Sequence, residues 1–363
     1  MVLDAGQQWQ RWEGTFPTVP VSDLVVHPRE GDLVVATFGR SFWILDDLQP
    51  LRFRSQFLSG QGRMQPLHLF APPVAYVGVI GESIGYRKGK VGEALFEGEN
   101  RPYGALISYQ LAESLLGDTT LPNNLPLEEQ VHIQIKDGAG NLLRNLYQTP
   151  KAGLNRLVWN LRMDGLRPLS MPEPKSLQAP PDGFLVVPGK YEVILSYQGR
   201  RVKQSLEVKA DPRINWSSEA YAEKAAFLAE FQEVGEEMLA AADQLRKVEA
   251  GMNRVKSRLE EAPDSVLSHS LDTLSGALDE MKEQMFGKKV QGIYRNPATL
   301  QSQWYQTMML ADDAHSPPSP NQQIQLKQLR TSWEQWQTTW ENWVEKDLSA
   351  FQEEMQERAL GWW

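Results

Sequence analysis

The chain has no cysteine among its 363 residues, which excludes disulfides, thiolate catalysis, thiolate-held metals and thiol redox switching together. Long apolar runs are missing too. Nothing approaches the ~20 residues needed to cross a bilayer, so no transmembrane segment is expected. Basic residues are the minority, 37 Lys and Arg against 46 Asp and Glu, for a net charge of −9. The cations are scattered, and Lys288-Lys289 is too short to form a stripe. With no stripe to neutralise phosphates, a nucleic-acid partner is excluded. No glycine-rich loop of the phosphate-cradling kind is present. Met1-Val2-Leu3-Asp4 does not open a signal peptide. His27, His68, His132 and His269 lack companions at nucleophile or metal spacing.

What is present begins at Pro20. Residues 20–47 read PVSDLVVHPREGDLVVATFGRSFWILDD. Leu24 to Val26 is an apolar run stopped at His27-Pro28, where proline removes a ladder donor. Arg29 to Asp32 supplies a turn, Leu33 to Ala36 a second run, and Phe42 to Leu45 a third beyond Gly39. Continuous apolar strands predict burial on both faces. Three such strands resemble one blade of a β-propeller. A ring needs about four to eight blades, and nothing later in the chain repeats the pattern. The remaining blades are therefore expected upstream or on another molecule.

The residues carrying this likeness are His27-Pro28, Thr37-Phe38-Gly39-Arg40, Trp43 and Asp46-Asp47. They resemble the phrase that closes the propeller of the large sortilin-like, BNR-repeat proteins, often labelled glycosyl hydrolases. Phe38 stands where those proteins carry histidine, and Ser41 where they carry glycine. The likeness continues more loosely to about Arg213, through Asn100-Arg101-Pro102-Tyr103-Gly104-Ala105. It implies an exported parent protein, periplasmic or extracellular.

A polar connector is expected from about Arg54 to Gln65. From Pro66 to Arg213, short apolar runs alternate with Gly, Pro, Asn and Asp, the pattern of an all-β sandwich. The predicted strands are Ala105 to Leu111, Val131 to Lys136, Asn141 to Leu146, Arg156 to Leu161, Lys190 to Tyr197 and Val202 to Lys209. Asp137-Gly138 marks a hairpin. Asp137, Gly140, Arg144 and Leu146, then Gly153 and Trp159, then Pro188, Gly189, Tyr191 and Val193 resemble a fibronectin-III-like or FlgD-type immunoglobulin-like domain. Trp159 and Tyr191 read as core residues of such a sandwich. Leu166 to Gly183 is proline-rich and reads as a long loop.

After Asp211-Pro212-Arg213 the period changes to that of helices. Segments are predicted from Asn215 to about Glu260, from Pro263 through Met285, near Pro297 to Leu310, and from Asn321 to about Arg358. Together they suggest an antiparallel bundle. The last carries Leu326, Leu329, Trp333, Trp336, Trp340 and Trp343 at 3-4-3-4-3 spacing. That seam is open to three readings: bundle core, intermolecular docking face, or sugar-stacking platform. Trp362-Trp363 read as a tail that folds back or as a contact patch.

Candidate chemistry is sparse. Asp312, Asp313 and His315 have ligand-type side chains but read as a solvated loop. Glu236-Glu237, Glu260-Glu261 and Glu353-Glu354 point to different sides of their helices and cannot face each other as a glycosidase pair. Asp46 and Asp47, at a strand end, read as turn caps.

The expected fold is therefore α+β and multidomain: a last, incomplete propeller blade (1–53), an immunoglobulin-like or fibronectin-III-like sandwich (66–213) and an antiparallel helical bundle (214–363). No catalytic, cofactor-binding or metal residue is assigned. The expected role is a non-catalytic spacer and binding or assembly module. Its expected partners are upstream blades and a protein or glycan ligand. The alternative is a supporting region of a propeller glycoside hydrolase whose active site lies in the absent blades.

Overall fold

A computed structural model describes residues 16, 18–58, 65–78, 101–116, 125–288, 298–311 and 317–358. The chain is an α+β protein that separates into two compact units. One comprises 1–164, 177–179 and 185–215; the other comprises 165–176, 180–184 and 216–363.

The first unit opens with a three-stranded antiparallel sheet in the order of the chain: β1 (Val21–Val26), β2 (Leu33–Thr37) and β3 (Phe42–Leu45). Gly31 and Gly39 close the two turns at φ +72° and +78°, a region where other residues are strained. The connector expected from Arg54 instead begins inside a helix, α1 (Gln49–Leu58). Pro50 stands at its second residue, where a missing N–H costs nothing.

Two further sheets share one apolar core. One has three strands in the order β4 (Leu67–Leu69), β6 (Ala105–Leu111), β9 (Gly153–Trp159). The other has five, in the order β5 (Ala75–Val77), β13 (Arg200–Ala210), β12 (Gly189–Tyr197), β7 (Val131–Lys136), β8 (Leu142–Gln148). Alternation in β7 buries Val131, Ile133 and Ile135 against Ile107, Tyr109, Val193 and Leu195. The turn before β8 is held by Asp137, whose Oδ1 accepts from Ala139 N at 2.9 Å and Asn141 N at 2.8 Å. Trp159 and Tyr191 do lie in the core, ring edge to face at 5.6 Å. β9 starts three residues earlier than predicted and ends at Trp159, because Leu161 takes φ +60° and cannot continue a strand. Two short strands, β10 (Arg162–Asp164) and β11 (Asp182–Leu185), flank the proline-rich insert.

The second unit contains α2 (Ser218–Glu261), α3 (Ser265–Phe286), α4 (Leu300–Ala311) and α5 (Pro320–Trp343). A single π-helical turn at Val344–Leu348 joins α5 to α6 (Ser349–Glu357). The helix starts follow side-chain capping. Ser217 accepts from Ala220 N, Asp264 from Val266 N and Leu267 N, and Ser319 forms a reciprocal capping box with Gln322. Helical spacing buries Phe231, Val234, Met238 and Leu245 of α2 and Leu271, Leu278 and Met281 of α3. Part of the insert belongs to this unit. Arg167 pairs with Asp243 of α2, Arg246 donates to Leu169 O, and the Leu169 side chain is fully buried.

The tryptophan seam is core. Trp333, Trp336, Trp340 and Trp343 are buried, the first three stacked in sequence at 5.4 and 5.7 Å between ring centroids and Trp343 tilted against Trp340 at 5.5 Å. Trp333 Nε1 donates to Glu237 and Trp336 Nε1 to Met281 O. With no ring face open, neither the sugar platform nor the intermolecular face survives for this seam.

Candidate docking surface

Burial on both faces, expected for β1–β3, is not what the structure shows. The register places Leu24, Val35 and Trp43 in one cross-strand row and Val25, Val34 and Ile44 in the next. Successive rows point to opposite faces. On the first face Val35 is buried and Phe16 packs on Trp43 at 5.5 Å, while Leu24 at the β1 edge is 58% exposed. On the second, Val25 is 53%, Ile44 62% and Phe42 72% exposed. Val34 and Ala36 lie between them, half-buried. Asp23, opposite Ala36 and Phe42, is the one charged residue on this otherwise apolar face, and the outer edge of β1 pairs with no strand among the described residues. Apolar run-length alone cannot distinguish a covered sheet from an uncovered one.

Beside this sheet sits a knot of charge. Asp47 is 3% exposed and at φ +49°. Its Oδ1 accepts from Gln49 N at 3.1 Å, its N–H donates to Asp32 Oδ1 at 2.8 Å, and its carbonyl accepts from Arg156 Nη2 at 3.2 Å. It therefore caps the turn into α1, as the strand-end position implied. Oδ2 is buried with no hydrogen-bond partner. Burial holds the carboxyl above the usual carboxylate range, against the pull of its bond to Gln49 and of Arg156 and Arg101.

A raised folded-state value means the native chain holds this proton more tightly than the unfolded chain. The associated stability is present in acid and lost as pH rises through the folded value. Asp47→Asn keeps a residue tolerant of positive φ and an oxygen for Gln49 N. It is expected to gain about 1 kcal/mol at neutral pH and to flatten the acid side of the stability profile. Urea unfolding at several pH values checks this, and an unchanged slope of stability against pH would refute it.

The remaining sequence candidates part company in space. His27 Nδ1 accepts from Glu30 N within the first turn. His68 lies between Phe53, stacked at 4.4 Å, and Phe70, edge-on at 4.8 Å, and burial pulls its imidazole below the ordinary value. His132 stacks on Tyr147 and bonds Asn145 Oδ1 at 2.8 Å. His269 is exposed on α3. Glu237 meets Trp333 while Glu236 meets Gln232, and Glu354 meets Arg358. Asp312, Asp313, His315 and Trp362-Trp363 lie outside the described residues. So does Gly81-Glu82-Ser83-Ile84-Gly85, which spells G-x-S-x-G although no such serine is expected from the sequence. That pattern signifies a nucleophile only on a strand-turn-helix elbow with histidine and acid partners. Among the described residues no three His, Asp or Glu side chains gather as metal ligands, and no helix is long and apolar enough to cross a membrane.

The described architecture thus defines an α+β chain whose most distinctive surface is an uncovered apolar sheet. No protein family, curated protein or solved structure matches the chain.

Proposed function

We propose that the chain is a non-catalytic spacer and assembly module, the C-terminal part of a sortilin-like, BNR-repeat propeller protein. In this reading β1–β3 is the closing blade, the two sheets sharing one core form an immunoglobulin-like spacer, and the helices form an antiparallel bundle. The uncovered face of Val25, Val34, Ile44 and Phe42 carries the proposal. An apolar sheet face left open to water is a surface that a neighbouring protein element can cover.

Size favours a tethered partner. Three strands about 4.8 Å apart and five residues long at about 3.3 Å per residue present roughly 240 Å². A freely associating partner needs about 800 Å² on each side. A sheet supplied by the same polypeptide needs far less, because tethering sets its effective concentration in the millimolar range. Neighbouring blades fit that description.

The test is the size of the native product, by immunoblot of source cells with an antibody raised against α2–α6. A species well above the calculated 41.2 kDa is expected; a single species at that mass removes the tethered blades from consideration. A second measurement uses the chain itself. Val25→Ser with Ile44→Ser is expected to lower binding of a hydrophobic dye severalfold while changing unfolding free energy by less than about 0.5 kcal/mol. A large loss of stability would mean the face is already covered.

A further inference from the structure

Helix α5 has two polar flanks beside its tryptophan seam, and they differ in kind. On one, Arg330 reaches Glu230 at 3.2 Å and Glu233 at 3.4 Å on α2. On the other, Gln325, Gln328, Ser332 and Gln335 recur at 3-4-3 spacing with no charge among them. Helix surfaces that merely face water are ordinarily charged. This strip carries carboxamides instead, and it lines a furrow.

The furrow holds about 810 Å³ between α5 and α4, with Gln303 and Gln306 on the α4 side. Past Ser332 it adjoins a second hollow of about 650 Å³ along Gln335. Lys327 is the one charged side chain lining the first stretch among the described residues. Glu280, Glu283 and Lys288 line only the second hollow. Within the first stretch, Gln325 Oε1 is shielded from solvent and has no hydrogen-bond partner among the described residues.

A carboxamide offers an acceptor and two N–H donors in one plane, which is the complement of a peptide group. The strip repeats over seven residues, Gln325 to Ser332 and Gln328 to Gln335, or about 10.5 Å at 1.5 Å per residue. Three residues of an extended peptide cover about 10 Å. From this match we infer that the furrow binds an extended, uncharged polypeptide segment of a partner protein, gripped through its main chain by the exposed carboxamides of Gln328 and Gln335. An apolar helix would find only Ile324 as a large aliphatic anchor in the first stretch, and an anionic ligand only Lys327. A sugar chain would want an open ring, and Trp336, which lines the second hollow, is 3% exposed. The inference stands apart from the propeller reading, since it uses the helical unit alone.

Calorimetric titration of the full chain with a capped hexapeptide of alternating serine and alanine tests it. A Kd of about 1 mM or tighter is expected. The same peptide with alternate backbone nitrogens methylated should bind at least tenfold more weakly, because its donors are gone. Gln328→Leu and Gln335→Leu, both exposed, should each weaken binding about tenfold with the unfolding midpoint unchanged. The inference is overturned by no binding at about 10 mM peptide, by equal binding of the methylated peptide, by indifference to both leucine variants, or by maltohexaose binding in the peptide's place.

Discussion

Gly104→Ala is expected to cost the first unit at least 3 to 4 kcal/mol, on the order reserved for severe core lesions. Gly104 adopts φ +131°, and a Cβ there would lie 2.1 Å from Trp159 O, 2.8 Å from Trp159 C and 3.0 Å from Asn160 Cα. Every one of those atoms is main chain, so no side chain can swing aside. The next residue, Ala105, pairs with Trp159 as the first rung of the β6–β9 ladder, so relief requires that rung to open. Trp159 would then lose its place beside Tyr191.

Gly140 supplies the control. It also has positive φ, at +91°, but its Cβ would meet nothing within 4 Å. Gly140→Ala should therefore cost only backbone strain, about 1 kcal/mol. Peptide-resolved hydrogen exchange on β6 and β9 checks the pair. If Gly104→Ala protects those amides as well as Gly140→Ala does, the close approach is not what holds the two strands in register.

The Gly104 contact also shows what kind of information the sequence carries. The proline-glycine phrase around Pro102 to Ala105 is visible as a motif, yet its cause is a contact with a carbonyl 55 residues away, which no local pattern displays. Strands β6, β7, β12 and β13 were legible because alternation and turn residues are local quantities. So were the four helix starts, expected at Asn215, Pro263, Pro297 and Asn321 and found within three residues of those positions. α1 was not: arginine and glutamine crowd its ten residues, and its Pro50 reads as a breaker unless the helix start is already known. The insert after Leu166 looked like a free loop because its restraints, Arg167 to Asp243 and Arg246 to Leu169, span more than 70 residues. For the candidate surface, the residues of β1–β3 were read correctly as strands but not their exposure. Period-2 patterns identify faces only when one face is polar, and here both are apolar.

Trp336→Ala is expected to cost the helical unit 3 to 5 kcal/mol, the usual range for emptying a buried aromatic site. Trp336 is the middle of the stacked column, 5.4 Å from Trp333 and 5.7 Å from Trp340, and its indole N–H reaches Met281 O on α3 at 3.0 Å. Removing it therefore opens a cavity, unstacks two neighbours and cuts the one side-chain hydrogen bond that ties this ring to α3. Trp336→Phe refills much of the volume and should recover more than half of the loss. Thr338→Ala, two residues on and exposed, should change stability by less than about 0.5 kcal/mol. Urea unfolding followed by far-UV circular dichroism separates these outcomes. The periodicity of this seam is equally that of a coiled-coil interface, so the experiment has a definite alternative. A docking seam would give a Trp336→Ala protein of near-parental stability that has lost only an association, whereas a core seam loses the fold of α2 to α5 first.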